Sequence, residues 1–374
     1  MNNKNNSVTQ DNPTPLRQPS QVGRALLARQ PVLGSLMLLV VMALSLLIIG
    51  CFKGDFFASW VTFVVVVAVP VEIVLSMLWR SQYPAWVAAL PQPAKGLVML
   101  VLTMAVACAV SALIFYTQAQ QVGPPTPFTL MYVIFCVLLT FWFVIVWRCW
   151  PLSSFTQNPA ILGVGTLLVA YGLGYLLFCV LFDFSAMAEA PFYLASLDPQ
   201  GLFAAFEILA FAVTSVSVVF AGVLLDFWPL NTATLARKPR LLAVAITVQT
   251  MAVTALLYWL GTRVLGIEPV KFMVHGAIAL LFGALVPLLM FEGQLFERRT
   301  QPVRGLLQLG IACLAGAVLP RIYWAMGPIL SGPMSEGAPT YTHELWLASA
   351  LLAMTFPLLV VSSQYFDFWP LRKA

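Results

Sequence analysis

The chain has 374 residues, of which 61% are hydrophobic and 9% charged, with a mean hydropathy of +0.91 and a formal net charge of +5. Soluble domains carry about 25% charged residues, so this composition excludes an ordinary soluble domain and points to a chain dissolved in a bilayer. The positive balance follows from where Lys and Arg fall, as shown below, and is not the footprint of a nucleic-acid binder.

In chain order, residues 1–30 are rich in Asn, Gln, Ser and Pro and read as a disordered cytoplasmic tail. Residues 31–374 read as one transmembrane domain. A helix needs about 20 apolar residues to cross a hydrocarbon core of about 30 Å. Ten such runs follow one another, at 32–51, 58–79, 96–116, 128–147, 160–182, 202–225, 241–261, 272–291, 305–325 and 345–365. They are continuously apolar and lack the alternation of barrel strands. The expected fold is an all-α integral membrane protein with ten transmembrane helices arranged as five tandem hairpins. Ile48-Ile49-Gly50-Cys51 has the form of a lipoprotein cleavage box, but a signal peptide does not carry so long a polar leader. The six cysteines show no paired spacing and read as packing residues.

Each odd-numbered run opens on a proline phrase: QPVLG at 30–34, QPAKG at 92–96, NPAILG at 158–163, KPRLL at 238–242 and QPVRG at 301–305. Their prolines are 62, 66, 80 and 63 residues apart. Even-numbered runs close on an aromatic and a second proline: Tyr83-Pro84, Trp150-Pro151, Trp228-Pro229 and Trp369-Pro370. The fourth return departs from this and runs FERRTQP into the next opening. The implied units are about 31–84, 93–151, 159–229, 239–301 and 302–370. Proline stops one helix because it disfavours helix in the residue before it, and starts the next because its missing N–H would be unpaired anyway. Trp and Tyr rings settle at the headgroup level. A charge stands just ahead of each stop, at Arg80, Arg148, Asp226, Glu297 and Asp367.

With the N-terminus cytoplasmic, the inside segments hold Lys4, Arg17, Arg24, Arg29, Arg80, Lys95, Arg148, Arg237, Lys238, Arg240, Arg298, Arg299, Arg304, Arg372 and Lys373, fifteen of the nineteen basic residues. The outside keeps Lys53, Arg263, Lys271 and Arg321. The positive-inside rule therefore places both termini inside a cytoplasmic (inner) membrane.

Ionisable groups within the hydrocarbon region cost a few kcal/mol on insertion scales, so each needs a partner or a role. Glu72 lies mid-helix, two residues after Pro70, with Ser76 and Arg80 following on its face. Pro287 and Pro357 are expected at the matching place in later returns, so three kinked helices would surround a path with Glu72 as its polar site. The bland reading of Glu72 is a neutral acid hydrogen-bonded between helices. Gly163, Gly165, Gly172 and Gly174 are expected to bring the fifth helix into the centre. Glu207, His275, Arg321, His343 and Glu344 mark an outer vestibule or ordinary surface. The turns at Trp150, Asp226, Trp228, Asp367 and Trp369 are interface stops or a docking face for a cytoplasmic protein.

Two histidines do not supply a multihaem or histidine-rich metal site, and no HExxH, GxSxG or P-loop motif occurs. No cofactor or metal is expected, and no catalysis, although a lipid-modifying activity stays open. The leading reading is a small-solute permease or channel, proton- or cation-linked through Glu72. The alternative is a non-transporting subunit or assembly factor that anchors a cytoplasmic partner through its Trp-Pro turns.

Overall fold

The computed structural model describes residues 29–190, 193–231, 235 and 237–372. The tail expected over 1–30 lies outside the described residues except for Arg29 and Gln30, as do Lys4, Arg17, Arg24 and Lys373 of the charge count.

Ten helices are long and apolar enough to cross a membrane: α1 Val32–Gly50, α2 Gly54–Leu78, α3 Ala94–Thr117, α4 Pro127–Val146, α5 Pro159–Leu181, α6 Ala205–Leu224, α7 Pro239–Val264, α8 Pro269–Met290, α9 Val303–Ser331 and α10 Thr342–Tyr365. They match the ten apolar runs, with shifted ends. The largest difference is α9, which continues to Ser331 through Pro320 and Pro328, so Arg321 stands inside this helix on an exposed face rather than in a loop. A two-residue parallel pair, β1 Phe182–Asp183 with β2 Phe203–Ala204, ties the end of α5 to the start of α6.

The helices divide into two layers. The most apolar stretches of α2, α4, α6, α8 and α10 have 56–72% of their residues buried, against 22–39% in α1, α3, α5, α7 and α9. Among the even helices, α2 packs on α4, α4 on α6, α6 on α8, α8 on α10, and α10 on α2, a closed circuit. Each odd helix lies across at least two members of that circuit: α3 on α2 and α10, α5 on α4 and α2, α7 on α6, α4 and α8, α9 on α8, α10 and α6, and α1 on α10 and α8. The outer faces carry large exposed apolar side chains such as Leu39, Leu47, Val101, Leu113, Leu168 and Leu314. A belt of that extent marks a surface that meets a membrane or another protein.

The expectation that glycines draw α5 inward is overturned, because α5 has the smallest buried share of the ten, at 22%. Its glycines serve one flank only. A Cβ on Gly163 would meet the Trp79 ring and one on Gly174 would meet Cys136 Sγ, whereas Gly172 faces open space.

The even helices end alike. Two consecutive residues with positive φ follow each one: Arg80-Ser81, Arg148-Cys149, Asp226-Phe227, Glu292-Gly293 and Asp367-Phe368. In four of them the second residue's N–H reaches back six positions to a carbonyl, Ser81 to Leu75 at 2.8 Å, Cys149 to Phe143 at 2.8 Å, Gly293 to Pro287 at 2.9 Å and Phe368 to Ser362 at 2.9 Å. In α6 the corresponding bond is Phe227 to Gly222 at 2.7 Å. These bonds close the free carbonyls of a helix end. Left-handed backbone at a non-glycine residue costs about 1 kcal/mol, which the closure and the packing beneath it offset.

The π-helical turns at Val74–Leu78, Trp142–Val146, Val286–Met290 and Val361–Tyr365 precede these corners at the same distance. Since α4 has no proline after Pro127, proline does not cause them. Pro70 and Pro357 sit ten residues ahead of Arg80 and Asp367, but Pro287 sits only five ahead of Glu292, so the expected match holds for the first and last returns alone. The charge that opens the fourth corner is Glu292, not Glu297. The sequence there carries Gln294-Leu295 where the other late returns carry Trp-Pro.

The opening phrases of the odd helices join these corners. Gln30 Nε2 donates to the Met290 carbonyl at 3.0 Å, Gln92 Nε2 to the Tyr365 carbonyl at 2.7 Å and Gln301 Nε2 to the Leu224 carbonyl at 3.2 Å. Each acceptor lies two residues ahead of a left-handed pair. The same glutamines cap their own helices where Oε1 accepts from Gly34 N at 3.2 Å and Gly305 N at 3.0 Å. Close approach requires the glycine, because a Cβ on Gly34, Gly96 or Gly305 would collide with the Met290 carbonyl, the Phe366 ring or the Leu224 carbonyl. For α5 the contact is reversed, with Trp79 Nε1 donating to the Pro159 carbonyl at 2.7 Å. For α7 the Arg240 guanidinium lies 5.5 Å from the centre of the Trp150 ring.

Candidate functional site

Inside the circuit of even helices lie two cavities. The larger, about 710 Å³, is lined by residues of all five even helices and opens among Asp55, Phe56, Ser59 and Trp60 at the start of α2, Pro124 and Pro125 ahead of α4, and Thr340 and Thr342 at the start of α10. The smaller, about 420 Å³, lies toward the corners, again with all five even helices contributing, and includes Ser76, Met77, Phe220, Leu288 and Gln364.

Three side chains border both cavities: Phe141 of α4, Leu285 of α8 and Phe356 of α10. The Phe141 ring centre is 6.0 Å from that of Phe356 and 5.1 Å from that of Phe220. They form an apolar neck between the two chambers. Above it the wall is Val66, Val69, Ile134, Leu138, Val213 and Leu281 with their neighbours. Such a wall offers a compact ion nothing in exchange for its hydration shell.

The expected polar site lies beside these chambers. Glu72 is buried, at 2% exposure, but belongs to the lining of neither cavity. It sits on the flank of α2 where Val71 and Leu75 pack with Met99 of α3 and Val361 and Tyr365 of α10. Tyr365, whose hydroxyl is 2.9 Å from Thr103 Oγ1, lies within electrostatic reach. Glu72 Oε2 has no hydrogen-bond partner among the described residues. Ser76 does face the smaller chamber, and its hydroxyl donates to the Glu72 carbonyl at 2.6 Å. Pro70, Pro287 and Pro357 are buried and line neither cavity.

The five residues expected at the vestibule divide. Glu207, His275 and Arg321 are exposed, whereas His343 and Glu344 are buried at the start of α10. None of them lines the larger chamber. His343 stacks on Trp324 with ring centres 3.4 Å apart, Nε2 is 3.1 Å from the Trp324 carbonyl, and His275 meets the same indole edge-on at 5.0 Å. Glu344 Oε1 accepts from Gly337 N at 2.9 Å. These contacts fasten the α9–α10 loop to the side of the bundle.

At the corners, Trp150, Trp228 and Trp369 are 37%, 53% and 41% exposed, and Asp226 and Asp367 are exposed as well. Arg372 binds Glu292 through both nitrogens, at 2.9 and 2.6 Å, and Asp367 at 3.0 Å, while Gln30 Nε2 reaches Glu292 at 3.1 Å. This polar knot joins the opening of α1, the end of α8 and the segment after α10. The Arg372 guanidinium holds the Glu292 carboxyl below the usual carboxylate range.

Nothing in the sequence marks the neck residues Phe141, Leu285 and Phe356 as a site. The only signal is a bulky apolar residue seven to eleven positions ahead of a corner, which core positions share. Compared with protein-family models, with curated proteins and with solved structures, the chain matches none.

Proposed function

We propose that the protein is a permease or channel for a small solute, with the route running along the axis of the five even helices. In this reading the chain is five copies of one two-helix unit, set around an axis normal to the membrane, with both termini on the cytoplasmic side of an inner membrane. The observation that carries it is the pair of adjoining chambers, about 710 and 420 Å³, that share Phe141, Leu285 and Phe356 in their linings. A packed bundle serving only as an anchor has no need of two adjoining cavities lined by every inner helix, since interiors otherwise fill to near-crystal density.

The neck acts as the gate. Solutes with apolar bodies pass when the Phe141 and Phe356 rings turn aside, and compact hydrated ions are held back by desolvation. Passage is measured in proteoliposomes with a panel of small neutral and charged solutes. Flux above protein-free vesicles, raised in Phe141→Ala and Phe356→Ala, is expected. No flux from wild type or from either widened variant sinks the proposal.

One observation favours the second reading, an integral subunit that anchors a cytoplasmic partner: the exposed indoles of Trp150, Trp228 and Trp369 share the corner face. That reading requires a soluble protein that co-purifies with the chain, is lost in Trp228→Ala or Trp369→Ala, and is indifferent to the neck variants.

A further inference from the structure

Among the described residues that line the two chambers, a single one is charged: Asp55, at the mouth of the larger. Its carboxylate enters no ion pair among the described residues. The lining of the same chamber includes five aromatic side chains, Phe56, Trp60, Phe141, Trp346 and Phe356. Two of these are fixed from behind. Trp60 packs against Phe115 with ring centres 5.4 Å apart, and Trp346 Nε1 donates to Ser331 Oγ at 2.9 Å. Both side chains are therefore held in place before any ligand arrives, which lowers the ordering cost of binding.

Charge and surface together select a ligand class. A carboxylate at the rim repels anions and attracts cations. Aromatic faces attract a cation through the ring quadrupole, most strongly when it is desolvated. A compact ion such as sodium does not shed its water into this wall, whereas a cation whose charge is spread over or shielded by apolar groups does so at little cost. The volume of about 710 Å³ lies in the range of about 300–1,000 Å³ typical of small-molecule sites.

We infer that the larger chamber binds lipophilic organic cations, ammonium or phosphonium centres carrying alkyl or aryl groups, with the charge near Asp55 and the body between Trp60 and Trp346. This names the solute class for the route proposed above and rests on that reading, but binding is measured separately from flux.

The test uses the full chain in nanodiscs of zwitterionic lipid, with empty nanodiscs as the blank. Equilibrium binding is measured with tetraphenylphosphonium and, in separate samples, with tetraphenylborate, an anion of the same shape. Saturable tetraphenylphosphonium binding is expected, with tetraphenylborate bound no more than by the empty nanodiscs. Asp55→Asn, at an exposed rim position, weakens it about tenfold, the equivalent of about 1.4 kcal/mol. Trp60→Leu weakens it about threefold or more, and Trp228→Leu on the opposite face leaves it unchanged. Absence of saturable binding, equal binding of tetraphenylborate, or indifference to Asp55→Asn overturns the assignment. Neutral-solute flux that persists in the face of any of those results leaves the transport reading standing and removes only the cation.

Discussion

Gln30 and Met290 are 260 positions apart in sequence, yet the carboxamide of the first donates to the main-chain carbonyl of the second at 3.0 Å. The same bond joins Gln92 to Tyr365 and Gln301 to Leu224. A carbonyl stranded at a helix end is thus satisfied by the opening residue of a helix from elsewhere in the chain. Gln92→Leu, which leaves the Tyr365 carbonyl unpaired, should cost about 1–3 kcal/mol and lower the thermal midpoint in detergent. A midpoint equal to wild type would show that the bond does not hold the circuit.

The glycines beside these glutamines give a sharper contrast. Gly34→Ala forces a methyl onto the Met290 carbonyl, whereas Gly310→Ala meets open space on its own helix. Overpacking costs about 1–3 kcal/mol, and alanine in an unencumbered helix gains about 1 kcal/mol over glycine. The two substitutions should therefore move stability in opposite directions. Equal effects would refute close approach at Gly34.

The Glu292–Arg372 pair predicts a pH dependence. Because Arg372 lowers the Glu292 pKa in the folded protein, its contribution is fully present above the ordinary carboxylate value of 4.5. It is lost as pH falls through the lowered folded value. Thermal stability measured in steps downward from pH about 5 should decline less steeply in Glu292→Gln than in wild type. Parallel curves would mean that the pair contributes nothing to this window.

Glu72 distinguishes two routes. With the carboxyl beside the chambers rather than in them, Glu72→Gln should leave passive flux within about twofold of wild type, an effect of under 1 kcal/mol on the barrier. Filling the smaller chamber by Ser76→Trp should reduce flux about tenfold or more. If Glu72→Gln abolishes flux while the protein remains folded, the polar flank of α2 is the path and the axial route is wrong.

The ten spans were legible because length and apolarity alone define them. Which face of each helix turns inward was not, because helices that are apolar all round carry no amphipathic signal. That is why Phe141, Leu285 and Phe356 escaped notice while Glu72, conspicuous by its charge, drew attention away from the axis. The fourth corner was misplaced for a related reason. Its cue is an acid followed by glycine, Glu292-Gly293, which satisfies the left-handed backbone but lacks the Trp-Pro punctuation of its counterparts. The glutamine phrases signal helix starts in the sequence itself. Their second role, reaching a carbonyl 77 to 273 positions away, depends on a partner that no local pattern names.

Because α1 rests on α8 and α10, its inward flank, Leu33, Met37, Val41 and Ile49, finds its packing partners only when helices more than 200 positions later in the chain are in place. The seam that closes the molecule is therefore its longest-range contact, and its formation waits on the slowest loop closure in the fold.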